Sequence, residues 1–444
     1  MSLSKNGFTY TAWVVIGAPV EDNYYQRVLD ELEVSDLAEL VVPGIQGSIY
    51  KNSAGRYTML PDMPVGETDP NVIFAWLEVP EHERPGALEF FAEMTFMPPE
   101  RIATLEGRSF ASWLDEKSVP VSLRAFLTSL CCDGMFMVPS DRLDAAEAIT
   151  SLQEMFLKGG GVFCKGGFGR VAEAYCEAVR RYGGTVEMGT RVEKILVEGG
   201  RVRGVRTAAG RTYSAPVVVS NAGIQPTVLK YVGEELFDAD YVEYVKSLVP
   251  SYSLLGYRYF LSRPVTDRPY GVVFSNTSPW TSERLEKAAR GEGSREGVLY
   301  YEVPSNYDPS AAPPGKQLLM TGSFCPPDPD LSKEEIKAWA DAGEEILFGA
   351  FPDLPGAIED KDLYTTKTVS NATRDAVLPG IGGETIGLGQ VVGQTGSSKP
   401  SIEAPIDGLY FVGADAGARG VGTQMAIASG IRVSEAVAER LRRR

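Results

Sequence analysis

The stretch from Gly408 to Gly430 constrains this chain more than any other. Gly408-Leu-Tyr-Phe-Val-Gly413-Ala-Asp415 reads as a short buried strand running into a glycine-broken loop, and Gln424-Met-Ala-Ile-Ala-Ser-Gly430 opens an amphipathic helix. Such a strand hands its carboxylate end to a loop without bulky side chains, and the loop delivers a helix N-terminus. Unsatisfied N–H groups and partial positive charge then gather at one place, which suits a phosphate or an electron-rich ring edge. Gly413 lets a ligand approach the backbone, and Asp415 is placed to accept hydrogen bonds from sugar hydroxyls. The plain alternative is a strand–loop–helix that closes a domain and holds nothing.

A chain of 444 residues exceeds one compact core, so two or three subdomains are expected. Acidic residues outnumber basic ones, 59 to 43, for a net charge of -16. That balance argues against nucleic acid as a partner, because phosphate binding needs concentrated positive surface. The one basic cluster, Arg440 to Arg444, reads as a solvated helix end. Five cysteines without framework spacing point to reduced thiols in a cytoplasm, with Cys131-Cys132 on a buried helix. The single histidine, His82, leaves no basis for a His-based triad or a His-rich metal site. No apolar run approaches membrane-spanning length and no secretory segment opens the chain, so no transmembrane segment is expected.

Along the chain, the pattern predicts a strand over 12–16, a helix over 24–32, and a hairpin turned by Asn52-Ser-Ala-Gly55. Residues 86–157 read as helical, with Met135-Phe-Met137 as core. Val171, Ala174, Tyr175, Ala178, Val179 and Tyr182 share one face of a helix that Gly183-Gly184 ends. A strand over 185–188 follows, then a hairpin of 191–197 with 201–206 across Glu198-Gly-Gly200. Val217-Val-Val219 reads as a buried strand. Between about 226 and 366, aromatic strands (252–261, 298–303) and a helix (333–348) mark an inserted domain, and 380–396 is a glycine-rich, flexible run.

A dinucleotide-binding unit opens with strand, G-x-G-x-x-G turn and helix, followed by a ribose-binding acid. The first fifty residues lack it: Val14-Val-Ile-Gly17-Ala18 starts like one but runs into Pro19. Gly167-Phe-Gly169-Arg-Val-Ala172 fits G-x-G-x-x-A, with Glu187 at a suitable distance, but Lys165 and a very short preceding strand weaken the match. Even as a plain glycine turn it sets N–H groups beside whatever fills the cleft.

Lys165-Gly-Gly-Phe-Gly169 with its helix, Val192-x-x-Ile195, Gly204-Val205, Val217-Val-Val-Ser-Asn-Ala222 and Gly408 to Gly413 occur in one order. This order resembles the phytoene-desaturase-like branch of the FAD-dependent amine-oxidase superfamily. The resemblance implies an α/β fold: a FAD/NAD(P)-binding Rossmann-like domain, incomplete at its N-terminus, over 1–75, 155–225 and 375–444. It further implies a helical subdomain over 76–154 and an inserted, sheet-plus-helix α+β substrate domain over 226–374. FAD is the implied cofactor. By the same resemblance Val192 meets the adenine, Asn221 and Ala222 approach the nucleotide, and Asp415 holds the ribityl–pyrophosphate region, with Gly413 beside it as a cofactor-binding position. Gln424, Met425 and Ala426 face the flavin ring.

One departure stands out, since the family's opening glycine-fingerprint unit is not found. Three accounts compete: a small partner chain carrying the G-x-G-x-x-G unit, a longer natural chain, or a scaffold that has lost FAD. The leading expectation is a flavin-dependent oxidoreductase, or its large subunit, moving a hydride between a small apolar substrate and flavin in a desaturase, saturase or isomerase reaction. The rival is a non-catalytic or assembly subunit, and an NAD(P)-dependent dehydrogenase built on Gly167 to Ala172 is a third reading. No catalytic residue is assigned; Tyr257, Tyr259, Tyr300 and Tyr301 are among many candidates in the inserted domain.

Overall fold

The computed structural model describes residues 2–15, 17, 20–63 and 67–443. Strands β1 (Ser2–Lys5) and β2 (Phe8–Thr11) form an antiparallel hairpin. Of the strand expected over 12–16, the described residues 12–15 form none: the chain bends at Ala12-Trp13 and runs on unpaired to Val15. Val15 N donates instead to the Glu302 carboxylate at 3.1 Å. Ile16, Ala18 and Pro19, within the stretch that starts like a phosphate loop, lie outside the described residues. Helix α1 (Tyr24–Glu31) is capped by Asn23, whose Oδ1 accepts from Gln26 N at 2.8 Å. After β3 (Leu40–Val41), strands β4 (Ile49–Lys51) and β5 (Tyr57–Met59) pair across the expected turn. Asn52 Oδ1 closes that turn by accepting from Ala54 N and Arg56 N.

A helical layer follows: α2 (Pro70–Trp76), α3 (Arg84–Thr95), α4 (Pro99–Ala103), α5 (Phe110–Asp115), α6 (Val121–Thr128), a π-helical turn over Ser129–Phe136, and α7 (Ala145–Lys158). Cys131 and Cys132 are buried in the π turn. Side chains such as Phe74, Phe91, Phe126 and Leu152 are withdrawn from water into one large core, each contributing about 1.5–3 kcal/mol.

The short β6 (Phe163–Cys164) pairs with β3, and α8 (Gly169–Arg181) buries Val171, Ala174 and Ala178. Its expected face is narrower than the spacing suggested: Val179 is 45% and Tyr182 68% exposed. Residues 185–188 form no strand, since no segment among the described residues pairs with them, and Met188 is 82% exposed. Strands β7 (Val192–Glu198), β8 (Arg201–Thr207) and β9 (Thr212–Ser214) make an antiparallel sheet as the Gly199-Gly200 turn predicts. The strand β10 (Val218–Ser220) runs parallel to the late strand of residues 409–411. It is not fully buried, because Val219 is 45% exposed.

The remaining helices are α9 (Ile224–Pro226), α10 (Ala239–Ser247), α11 (Ser282–Ala289), α12 (Lys333–Ala350), α13 (Thr366–Thr373) and α14 (Gly422–Arg442). The remaining strands are β11 (Ser253–Leu261), β12 (Tyr270–Ser275), β13 (Leu299–Glu302), β14 (Gln317–Cys325), β15 (Ile358–Tyr364) and β16 (Leu409–Phe411). The main sheet runs β15-β11-β14-β13-β12-β4-β5, so β4 and β5 extend the sheet of the inserted region although sequence grouped them with the nucleotide-handling part. The sheet is sandwiched. Phe260, Val272, Phe274 and Met320 face the helical layer, while Tyr259, Val273, Leu299 and Leu319 pack with Ile346 and Leu347 of α12. The alternation follows the two-residue period of a strand.

Candidate functional site

Where the helical layer, the 11–15 segment, the sheet and the start of α14 meet, the chain encloses a cavity of about 660 Å³. Small-molecule sites span roughly 300–1,000 Å³. Leu60, Ile73, Phe126, Leu130, Met135 and Met137 give it an apolar wall, closed by Leu254, Val272 and Tyr300 of the sheet. Gly159-Gly-Gly161, Phe168, Gly169, Ala172 and residues 421–424 line another wall with backbone and small groups. The glycine turn noted at Gly167 to Ala172 therefore reaches the cleft, while Glu187 is engaged elsewhere by the Tyr213 hydroxyl and by Arg211 at 3.5 Å. Met135 and Met137 line the cavity rather than serving only as core, and Phe136 is buried.

The first turn of α14 begins at Val421 with no side-chain cap. Its leading N–H groups therefore stand at the cavity wall with the positive end of a 21-residue helix. Gln424 and Ala426 line the cavity, and Gln424 Oε1 also accepts from Tyr24 N at 2.8 Å, which locks α1 to α14. Met425 turns the other way, fully buried, with its Sδ 3.3 Å from Lys399 Nζ.

The parallel pairing of β10 and β16 brings Asn221 and Gly413 side by side at the strand ends. Gly413 has φ +110, and a Cβ there would overlap Asn221 Oδ1, so only glycine fits the approach. Gly413 N donates to Ser429 Oγ at 3.2 Å, fastening the strand end to α14. Ala222 N lies 3.4 Å from Ser220 Oγ. Val192 stands at the start of β7, half-buried, and neither it, Asn221, Ala222, Gly413 nor Asp415 lines the cavity.

Asp415 is 2% exposed, and its oxygens are in use. Oδ2 accepts from Ile224 N at 3.0 Å and Oδ1 from Leu388 N at 2.9 Å; Arg374 donates to both at 3.2 Å. Burial alone would raise its pKa, but the Arg374 guanidinium and these N–H donors hold it below the usual carboxylate range. Arg374 also meets Glu384 at 3.1 Å, whose pKa burial raises against the pull of that guanidinium. The carboxylate expected to meet sugar hydroxyls thus faces inward, and fixes the loop after β16 to the segment after α13. Arg374 and Glu384 carried no motif or periodicity that would have singled them out.

Hydroxyls around the cavity are largely committed. Tyr300 Oη donates to Ser129 O, Tyr270 Oη to Gly160 O at 3.2 Å, Thr11 Oγ1 to Trp13 O at 2.7 Å, and Thr373 Oγ1 to Val369 O at 2.9 Å. Of the four tyrosines singled out in the sequence, only Tyr300 lines the cavity. Tyr301 donates to Gly47 O, Tyr259 to Glu344, and Tyr257 lies under Lys361. Behind the 11–15 segment, the fully buried Glu302 accepts from Tyr307 Oη at 2.5 Å, and burial pushes its carboxyl up to about 7. A flat ring with an electron-rich edge fits this arrangement, with the α14 terminus on one side and apolar side chains on the other.

Known proteins share this architecture. The chain is 29% identical over 278 residues to the zeta-carotene-forming phytoene desaturase of Myxococcus xanthus, covering 61% of this chain and 52% of that protein. It is 27% identical over 268 residues to the chloroplastic prolycopene isomerase of Arabidopsis thaliana, covering 57% and 42%. The chain spans about half the length of the curated relatives it matches. Among solved structures, an oxidoreductase from Methanosarcina mazei superposes with a TM-score of 0.66 at 20% identity, over 98% of this chain and 90% of the other. Putrescine oxidase bound to putrescine gives 0.66 at 13% identity, over 99% and 90%. The two solved structures show a shared mixed α/β fold. Residues 21–438 match the family described as flavin containing amine oxidoreductase, and the chain belongs to that family.

Proposed function

We propose that this protein is an FAD-dependent oxidoreductase acting on a small apolar molecule, as a desaturase, saturase or isomerase. One observation carries the reading: a single cavity joins the uncapped start of α14 to an apolar wall whose hydroxyls are turned to backbone carbonyls. A substrate there meets few polar groups to satisfy, so its own surface is expected to be apolar. Phytoene desaturases and a prolycopene isomerase among the relatives support the same substrate class. Bound flavin supplies the hydride transfer. The chain's part is to orient the reacting bond, exclude water, and place the α14 terminus where charge develops.

Gln424 and Ala426 are assigned to the ring, with Met425 behind them, and Asn221, Ala222 and Gly413 to the nucleotide at the ends of β10 and β16. Asp415 acts by holding the loop, and Val192 contacts adenine only if the dinucleotide extends to β7. The second edge of β10 has no partner strand among the described residues, which supports docking of a further strand from a small partner chain carrying the G-x-G-x-x-G unit. Five free cysteines fit a reducing compartment such as the cytoplasm.

The test is to isolate the native protein under mild conditions, record its absorbance and look for a short companion chain. A flavin spectrum that is bleached by an apolar polyene or its reduced form supports the reading. A second reading, a scaffold that has lost FAD, draws on the closed Asp415–Arg374 contact. A colourless assembly that ignores added FAD would establish it instead.

A further inference from the structure

We propose that Lys399 is a positioning residue for the flavin: its ammonium holds the β16–α14 loop and adds positive charge behind the cavity wall that α14 opens. This inference rests on the flavin reading of the cavity. Lys399 Nζ donates to Ala414 O at 2.8 Å and to Gln390 Oε1 at 3.0 Å, and lies 3.3 Å from Met425 Sδ. Ala414 lines the cavity, and Met425 sits between two residues that do. One side chain therefore ties the loop to the first turn of the helix. Gln390 is itself pre-oriented, since its Nε2 donates to Leu388 O at 3.1 Å and its Oε1 also accepts from Thr395 Oγ1 at 3.0 Å.

The surroundings make this an expensive place for a cation. All three atoms around Nζ are neutral, and no ion pair to Lys399 occurs among the described residues. The nearby charges are otherwise engaged. Asp415 is held by Arg374, Glu147 of α7 pairs with Arg419 at 3.5 Å, and Arg419 also meets Glu106. Burial pushes the Lys399 ammonium down to about 8, with Asp415 and Glu147 pulling the other way. An apolar residue of similar length would avoid that desolvation. The position instead adds a full charge to the partial charge of the α14 terminus, on the same wall, in a chain of net charge -16. Such a wall favours a ring that gains negative charge on reduction.

Lys399→Met and Lys399→Arg, prepared alongside the wild type, test this through stability, flavin affinity and midpoint potential. The ordinary lysine value is 10.5 and the folded value about 8, so wild-type stability without flavin should rise with pH between them. That rise should vanish in Lys399→Met, which should be no less stable at pH 7. With FAD, Lys399→Met should lose about tenfold in affinity for the reduced over the oxidised form, the size expected of one charge acting through an effective permittivity near 20. Its potential should fall accordingly, and Lys399→Arg should restore it. If Lys399→Met keeps both affinities and the potential, Lys399 is a packing residue and the flavin reading stands. If the wild type takes up no FAD, the flavin reading and this inference fall together.

Discussion

A carboxylate sealed beside an arginine does different work from one that faces a ligand, and Asp415 is of the first kind. Its position after β16 was legible from the glycine-flanked strand end. Its partner was not, because Arg374 lies 41 residues earlier with no pattern linking the two. Replacing Arg374 with Met should strand Asp415 and Glu384 without their counter-charge. The expected cost is about 3–5 kcal/mol in denaturant unfolding, and a loss below about 1 kcal/mol would mean that the backbone donors suffice. Glu302 gives a second residue-scale outcome. Its carboxyl titrates near 7 in the fold against an ordinary 4.5, so the folded state binds more protons between those values. Its contribution is therefore fully present below pH 4.5 and lost as pH rises through 7. Glu302→Gln should lack that decline in melting temperature; parallel curves for the two proteins would refute the assignment.

At the scale of elements, periodicity served where an element could fill its own pattern. The helix after Gly169, the Asn52 hairpin and the Gly199-Gly200 hairpin form as the spacing predicts. Residues 185–188 carry strand-like alternation but have no neighbour to pair with among the described residues, and a strand exists only through its partner. Residues 12–15 behave similarly, giving Val15 N to a side chain instead of a ladder. The π turn over Ser129–Phe136 had no signal at all. It brings Gly134 against Tyr300, where a Cβ would overlap the phenol oxygen. Gly134→Ala should therefore push Tyr300 off Ser129 O and cost about 1–3 kcal/mol, as overpacking does. An unchanged melting temperature would show that the turn relaxes freely.

Across the whole molecule, the layered arrangement divides labour between two walls of one cavity. Leu130 belongs to the helical side, distant in sequence from the glycine-lined side and α14. Leu130→Trp should cut turnover of an apolar substrate at least about tenfold by filling that side, with flavin absorbance retained. Loss of flavin in that variant would mean that the two walls are not separate. Sequence reading grouped 49–59 with the nucleotide-handling part, whereas β4 pairs with β12 of the inserted region, because pairing across such a distance leaves no local trace.

The attachment of β4 to β12 sets a timetable for the newborn polypeptide. Ile49 pairs with Val273, so the amino-terminal hairpin must wait on the ribosome until its docking strand emerges. At ~5–20 residues per second, that delay is on the order of ten to fifty seconds. Throughout it, Tyr50 has the early helical layer to pack on, but the opposite face with Ile49, Tyr57 and Met59 stays bare until α12 follows.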